Sequence, residues 1–266
     1  MDTIILPVDL SRQSKMMIPC MVEFSRFGIR KVIVLYVNPE GVPLTKITLD
    51  ELNDFVNQLC EEGFDAELKI STGLRPYEVI IHCAEELGAD TIVMPSSGKG
   101  RATMLLLGSN SLSVLRKASV QVLLKRFIKG PGGSICETFP LTFKKVMVVL
   151  PPMSRDNGFM ERVNRLIKRG RLDNVLILNP VSGAKMEYSY SNIMSPEEIY
   201  KKMELGEYDI GSVPRNILDA IVAESISLLV LPGCLREPMH SLLKGSPIEQ
   251  ILQNSKASLM VIPTDG

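Results

Sequence analysis

The sequence predicts an α/β protein made of two repeated, doubly wound domains, each with a mainly parallel sheet of five strands. Short apolar runs rich in β-branched residues alternate with segments of helical periodicity, which is typical of parallel strands joined by crossover helices. The second half repeats motifs of the first in the same order. With 266 residues, of which 45% are hydrophobic, the chain has enough apolar side chains for a buried core.

The first half contains five predicted strands and four predicted helices in alternation. The strands are expected at residues 3–8, 31–37, 66–71, 91–94 and 120–124, and the helices at residues 12–27, 49–60, 76–87 and 109–117. Pro19 is expected to kink or shorten the first helix, because proline lacks the N–H that a helix interior uses. Gly28 is expected to end that helix.

The two halves are joined by a predicted linker and related by a repeat. Residues 128–143 carry a Gly- and Pro-rich run and no periodicity, so we predict a linker there, with domains at residues 1–127 and 144–266. The stretch LLVLPGCLREPMHSLLKGS aligns on TIVMPSSGKGRATMLLLGS without a gap, which pairs Pro95 with Pro232 at an offset of 137. We interpret this as a tandem duplication.

The repeat also shows where the second half keeps the pattern and where it departs from it. Leu150–Pro151, at the end of an apolar run, mirrors Leu6–Pro7 in the first half. Residues 179–192, which include Tyr188 and Tyr190, are an insertion relative to the first half. We expect this insertion to be a mobile loop, and a surface for a partner is the alternative.

The interval between the fourth predicted strand and the next helix has the pattern of an anion pocket. Small residues let the backbone approach a phosphate, and the first N–H groups of the helix point at it. The small and hydroxyl residues of this interval are Ser96, Ser97, Gly98, Gly100, Gly108, Ser109 and Ser111. The alternative is that the glycines only permit tight turns. The interval is not a Walker loop, because no Gly lies five positions before Gly98 and no Ser or Thr follows Lys99.

Three segments that follow apolar strands are expected to meet in one crevice. Asp9 follows the first strand, the residues after Val37 follow the second, and the loop after Met94 follows the fourth. Ligands on doubly wound sheets bind beyond the carboxyl ends of the strands, where the strand order switches direction. The sequence therefore predicts a single binding crevice at this edge of the sheet.

Charge and motif content argue against several classes of function. Thirty basic and thirty acidic residues cancel, so nothing indicates capture of nucleic acid or an anionic membrane. The sequence shows no signal segment and no spanning apolar run, so we expect a cytoplasmic protein. The five scattered cysteines and the two histidines, His82 and His240, lack metal-ligand spacing. No defensible pairing of base and nucleophile indicates an enzyme.

Asp9 and the glycine spacing resemble the ATP-binding pattern of the universal stress protein family. Members that bind ATP carry an Asp after strand one and a G-x2-G-x9-G-S/T motif after strand four. Here Gly98, nine further residues, Gly108 and Ser109 fit the later parts of that motif. The resemblance covers nearly the whole chain outside the linker. It implies an adenine nucleotide alpha hydrolase-like fold, a nucleotide pocket and dimer-like pairing of the two domains.

The resemblance implies that the first domain binds ATP, or AMP or ADP, with or without Mg²⁺. Asp9 would accept from the ribose or the adenine, and the backbone at Val37 would meet the adenine edge. Gly98 would admit the sugar-phosphate, while Gly108 and the serines after it would hold phosphates. The residues implied to line the site are Pro7, Val8, Asp9, Val37, Met94, Ser97, Gly98, Gly100, Arg101, Gly108, Ser109, Asn110 and Ser111. For Arg101, a solvated loop cation is the alternative role.

The sequence departs from the family pattern in both halves. Pro95 replaces the first motif Gly, so a backbone donor near the ligand is expected to be missing. In the second half Met153 stands where Asp9 would be, and Leu235 replaces a motif Gly. Losing the Asp alone costs about ten- to a hundredfold in affinity. We therefore predict that the second domain does not bind ATP and instead pairs with the first.

Two classes of function are consistent with these residues. The first is a stress-response protein that senses an adenine nucleotide through its N-terminal domain. The alternative is a nucleotide-independent scaffold of the same family, which Pro95 and the degenerate second half favour. An enzyme is the least supported class, with slow ATP hydrolysis as its upper limit. A homodimer is a further alternative to pairing within one chain.

Overall fold

The structure is a computed structural model that describes residues 3–96, 108–129, 134–208, 214–236 and 247–264. The chain divides into two compact units, Met1–Pro140 and Leu141–Gly266. Both are mixed α/β units built around mostly parallel strands, as the sequence predicts. Among the helices in the described ranges, none combines the length and the apolarity needed to cross a membrane.

The first unit contains five parallel strands in the order β3–β2–β1–β4–β5. They are β1 (Thr3–Val8), β2 (Lys31–Asn38), β3 (Asp65–Thr72), β4 (Thr91–Pro95) and β5 (Gln121–Lys125). Each lies within one residue of its predicted bounds. In the central strand β1, Ile4, Ile5 and Leu6 are completely buried, which accounts for its continuous apolar run.

The helices of the first unit connect these strands. They are α1 (Arg12–Lys15), α2 (Met17–Phe24), α3 (Lys46–Glu61), α4 (Pro76–Glu86) and α5 (Ser109–Lys117). The predicted first helix is interrupted at Met16, so Pro19 lies in the first turn of α2. Proline is tolerated there because the first N–H groups of a helix have no partner within it. Gly28 adopts φ 73° and ends the segment, as predicted.

Helix α3 begins earlier than the sequence periodicity indicates. Thr45 caps it, because the Thr45 side chain accepts a hydrogen bond from the Thr48 backbone N–H at 3.1 Å. Such a cap satisfies one donor that the helix leaves unpaired. Leu52, Phe55 and Leu59 bury one face of the helix. The apolar residue of the first turn, Ile47, is 71% exposed and lies off the buried face, so hydrophobic periodicity alone missed this turn.

The segment after β5 contains a short antiparallel strand pair, where the sequence indicated a linker without periodicity. Its strands are β6 (Phe127–Lys129) and β7 (Ile135–Glu137), with Phe127 opposite Glu137. Three-residue strands are too short to show alternation in a sequence. Lys125 is fully buried and donates from Nζ to the Phe139 carbonyl at 2.9 Å. This contact fixes the chain that follows the strand pair.

The second unit repeats the strand order of the first, β10–β9–β8–β11–β12. Its strands are β8 (Val146–Val149), β9 (Val175–Leu178), β10 (Lys185–Tyr188), β11 (Leu228–Pro232) and β12 (Ser258–Ile262). Its helices are α6 (Phe159–Gly170), α7 (Pro196–Lys202), α8 (Pro214–Glu224) and α9 (Pro247–Asn254). The edge strand β10 runs antiparallel to β9, whereas its counterpart β3 runs parallel to β2.

The expectation of a mobile loop over residues 179–192 is wrong for the residues of β10. The side-chain oxygen of Asn179 accepts from the backbone N–H groups of Val181 and Ser182, which turns the chain back after β9. Gly183 completes the turn with φ 73°. Tyr188, at the end of β10, is only 1% exposed. An Asn turn followed by a buried aromatic residue was the signal for a hairpin.

A carboxylate of the second unit is held between two lysines. Glu224, at the end of α8, accepts from Lys185 Nζ at 2.6 Å and from Lys145 Nζ at 2.9 Å. These two ammonium groups lower the pKa of Glu224 to about 2. Because that pKa is depressed in the folded state, the pair contributes stability above the ordinary Glu pKa. The contribution disappears as the pH falls from about 4.3 towards 2.

Replacing Glu224 with Gln is expected to lower the unfolding temperature at pH 7 by about 1–3 °C, because exposed ion pairs contribute little. The difference from the unchanged protein is expected to vanish near pH 2. Thermal unfolding followed by circular dichroism across this pH range is the measurement. Glu187→Gln, on the exposed side of β10, is the matched control. Equal pH profiles for the two variants would contradict the assignment.

Candidate functional site

Strand order places the candidate crevice of the first unit at the ends of β1 and β4. The chain passes from β1 outward to β2 and β3, then crosses to β4 and β5 on the other side of β1. This is the switch point at which doubly wound sheets bind ligands. Pro7 and Val8, near the end of β1, pair with Leu35 and Tyr36 of β2. The structure thus brings the predicted segments after β1, β2 and β4 to one edge.

Asp9 lies one residue past β1, and its carboxylate is oriented by the start of α1. Its Oδ1 atom accepts from the Ser14 hydroxyl at 2.6 Å and from the Ser11 backbone N–H at 3.0 Å. Ser11 in turn caps α1 by accepting from the Ser14 backbone N–H at 3.2 Å. Asp9 was predicted from the sequence, but Ser14, whose hydroxyl donates to the Asp9 carboxylate, was not. The spacing Asp-x-Ser-x-x-Ser carried that signal.

The apolar candidates line the same edge of the sheet. Val37 is half-buried near the end of β2, and Met94 is 6% exposed near the end of β4. The backbone N–H of Gly73 donates to the Asn38 carbonyl at 3.3 Å, which joins the chain leaving β3 to the end of β2. Half-buried apolar side chains beside a polar strand end are the usual lining of a small-molecule site.

The start of α5 is fixed over the end of β4. The Gly108 backbone N–H donates to the Ser96 carbonyl at 2.8 Å, and the Ser111 hydroxyl donates to the Pro95 carbonyl at 3.0 Å. The first hydrogen bond within the helix runs from Leu112 to Gly108. The N–H groups of residues 109–111 precede that bond, so they have no acceptor within the helix. Such an end favours an anion.

The structure changes the expected role of Ser111 and describes the surroundings of Ser96, whose hydroxyl the sequence placed in the same interval. The Ser111 hydroxyl donates to the Pro95 carbonyl of β4. Only the backbone N–H of Ser111 therefore remains to donate to a phosphate. Ser109 and Asn110 are exposed at the helix start. The Ser96 hydroxyl is fully buried and has no hydrogen-bond partner in the part of the chain that the structure describes. Buried hydroxyls without partners are uncommon, and a ligand group is one way to satisfy them.

Four predicted site residues lie outside the described residues. They are Ser97, Gly98, Gly100 and Arg101. The described part of the site therefore consists of the three strand ends, Asp9 and the start of α5. In the described ranges, no three His, Cys, Asp or Glu side chains gather closely enough to hold a metal ion.

The donor that Pro95 lacks faces β1 rather than the mouth of the crevice. Ser96 donates to Lys125 of β5, and successive residues of a strand turn their N–H groups to opposite neighbours. The ladder between β1 and β4 comprises the pairs at Ile4 and Ile5, and both strands lie wholly in the described ranges. Continuing that register, the next donors would be Pro7 and Pro95. Both are prolines, so the ladder ends there.

The second unit differs from the first at the corresponding positions. Met153, in the place of Asp9, is 58% exposed, and Leu235 is fully buried just after β11. Gly233 corresponds to Ser96 in the repeat. A Cβ atom at Gly233 would lie 2.8 Å from the Thr264 backbone nitrogen, so no larger side chain fits without moving the chain. The strand end of the second unit is therefore packed against its neighbour.

Comparison with known sequences relates the first unit to a known protein family. Residues 1–126 match the sequence profile of the Universal stress protein family. We identify the first unit, through these residues, as a universal stress protein domain. A universal stress protein of Methanocaldococcus jannaschii is 31% identical over 97 residues, which cover 36% of this chain. The matched part spans 59% of that relative's length.

Solved structures of universal stress proteins share the fold across both units. One from Archaeoglobus fulgidus has a TM-score of 0.65 at 18% identity, covering 98% of this chain and 96% of its own. A putative universal stress protein from Pseudomonas aeruginosa has a TM-score of 0.62 at 14% identity, covering 98% of this chain and 92% of its own. At these identities the likeness concerns the fold alone. It confirms the α/β class predicted from the sequence.

Proposed function

We propose that the first unit binds ATP, or the related ADP or AMP, at the carboxyl ends of β1, β2 and β4. One observation carries the proposal. The start of α5 is anchored over the end of β4 by Gly108 and Ser111, at the switch point beside Asp9. A phosphate gains the partial positive charge and the unpaired N–H groups of the helix start. Asp9 supplies the acceptor that a ribose or an adenine amine requires.

The proposed consequence of binding is a change in what the protein associates with under stress. A ligand shifts a conformational or binding equilibrium only as far as it binds the two states unequally. In this proposal the second unit serves as the pairing partner of the first. We propose no catalytic role beyond slow ATP hydrolysis.

The alternative is a nucleotide-independent scaffold, which the altered second unit favours. Isothermal titration of the full chain with ATP, ADP and AMP, with and without Mg²⁺, separates the two functions. We expect one site per chain and a thermal shift that follows its occupancy. The scaffold stands instead if millimolar ATP produces neither heat nor thermal shift.

Replacing Pro95 with Gly is expected to leave ATP affinity within about threefold of its original value, or about 0.7 kcal/mol. The restored N–H would face β1, where it meets the Pro7 carbonyl rather than the ligand. Titration calorimetry of the variant and the unchanged chain measures the difference. An affinity gain above tenfold would mean that the restored donor contacts the nucleotide, as the family motif suggests.

A further inference from the structure

Two tyrosines of the second unit reach the end of its central strand. Leu150 is the first residue past β8, and its carbonyl accepts from the Tyr208 hydroxyl at 2.6 Å. The Tyr200 hydroxyl donates to Asp156 Oδ2 at 2.8 Å and lies 3.3 Å from the next carbonyl, that of Pro151. Tyr200 is 4% exposed, whereas Tyr208 is only partly buried. Tyr200 is therefore the more deeply buried of the two phenols, and Tyr208 lies nearer the surface.

The surroundings of both phenols hold them in the uncharged form. Burial raises the pKa of Tyr208 far above its ordinary value, and the nearby Cys234 and Glu207 add to that shift. Burial, the hydrogen bond to Asp156 and its charge raise the pKa of Tyr200, with smaller contributions from Tyr208 and Cys234. Cys234 is the second residue past β11. The phenols are thus uncharged, and the hydroxyls of both reach the end of β8.

This position corresponds to the candidate crevice of the first unit. Strand β8 lies between β9 and β11, as β1 lies between β2 and β4. Leu150–Pro151 at the end of β8 mirrors Leu6–Pro7 in the repeat. The carbonyls that the tyrosines approach are therefore those at the second unit's own switch point, where a ligand would bind.

The different wiring of the second unit supplies these side chains. In the first unit β3 is joined to α4 by residues 73–75 alone. In the second unit the chain between β10 and α8 spans residues 189–213 and includes α7. Tyr200 comes from the buried side of α7, and Tyr208 from the chain that follows it. This longer connection between β10 and α8 thus brings two aromatic rings to the end of β8.

We propose that the side chains of Tyr200 and Tyr208 fill the crevice of the second unit, the one at the end of β8 that corresponds to the candidate crevice of the first unit. The site accepts an aromatic ring with one hydrogen-bond donor, and the chain's own phenols fill it. Each chain consequently offers one crevice to an outside ligand instead of two. This inference concerns the second unit only and holds whether or not the first unit binds a nucleotide.

The test is to remove the outer ring and supply a phenol from solution. Tyr208→Ala is expected to lower the unfolding temperature by about 5 °C, because it removes a partly buried ring together with its hydrogen bond to the Leu150 carbonyl. Added phenol at millimolar concentration is expected to restore part of that loss in a saturable way, as apolar cavities bind matching small molecules. Tyr208→Phe keeps the ring and should show no phenol effect. Tyr190→Ala, at a residue 41% exposed, is the matched control.

A folded Tyr208→Ala variant whose unfolding temperature ignores phenol, or falls no more than that of Tyr190→Ala, overturns the proposal. If Tyr208→Ala does not fold, nitration of the unchanged protein by tetranitromethane replaces it. Tyr200 and Tyr208 are then expected to react at least tenfold more slowly than Tyr190. Equal rates at Tyr208 and Tyr190 also overturn the proposal. The assay contains no nucleotide, so its outcome is independent of ATP binding by the first unit.

Discussion

Replacing Asp9 with Ala is expected to weaken ATP binding about ten- to a hundredfold, because a hydrogen bond to a charged group contributes roughly 1.5–3 kcal/mol. The variant also releases the Ser11 and Ser14 groups that Asp9 accepts from, so some loss of stability is expected as well. Titration calorimetry on the full chain measures the affinity. Circular dichroism melting measures the stability of the same sample.

Ser14→Ala separates the two effects of Asp9. It removes the hydroxyl that donates to Asp9 Oδ1 at 2.6 Å but keeps the carboxylate. We expect its stability to fall by about 0.5–1.5 kcal/mol and its ATP affinity to change much less than that of Asp9→Ala. If both variants lose affinity equally, the carboxylate acts only by holding α1. If neither loses affinity, the proposed site is wrong.

Replacing Tyr188 with Ala is expected to reduce the free energy of unfolding of the second unit by about 3–5 kcal/mol. The hydroxyl donates to Asn164 Oδ1 at 2.9 Å and accepts from the Met194 backbone N–H at 2.8 Å. Truncation therefore leaves a cavity and two partly buried polar groups, on Asn164 and Met194, that have lost a partner. The residue sits on the edge strand β10, where the ring is 1% exposed.

Urea denaturation followed by circular dichroism measures the loss for Tyr188→Ala. Hydrogen exchange along β9 and β10 assigns that loss to the hairpin. Tyr190→Ala, two residues further along, is expected to change stability by no more than about 0.5 kcal/mol. Similar losses for the two variants would mean that residues 185–188 behave as the mobile loop that the sequence suggested.

Four strands of the first unit could be predicted from their continuous apolar runs, and the edge strand β3 from its alternation, since its residues are exposed or half-buried. Ile4, Ile5 and Leu6 show why, since a strand buried on both faces needs apolar residues throughout. Elements stabilised by specific hydrogen bonds were harder to find. The start of α3 depends on the Thr45 cap, and the hairpin of β9 and β10 depends on Asn179. Neither hydrogen bond produces a hydrophobic periodicity in the sequence, so the pattern of apolar residues did not reveal these two elements.

The position of the candidate site could likewise be predicted, but the state of its side chains could not. Asp9 follows an apolar strand, so topology alone places it at the strand ends. The Ser14 hydroxyl donates to the Asp9 carboxylate across a local turn, and the Ser111 hydroxyl donates to the Pro95 carbonyl 16 residues away; both contacts depend on the geometry of the loops that follow β1 and β4. The direction of the missing Pro95 donor also needed the register of β4 and β5.

Pro7 and Pro95, near the ends of β1 and β4, limit how far these two strands can pair. Two neighbouring parallel strands continue to pair only where backbone N–H and C=O groups face each other. Here the two hydrogens required for that pairing do not exist in the covalent structure of Pro7 and Pro95. Neither temperature nor solvent can supply them. The backbone ladder between β1 and β4 therefore cannot extend past Ile5 through these two residues.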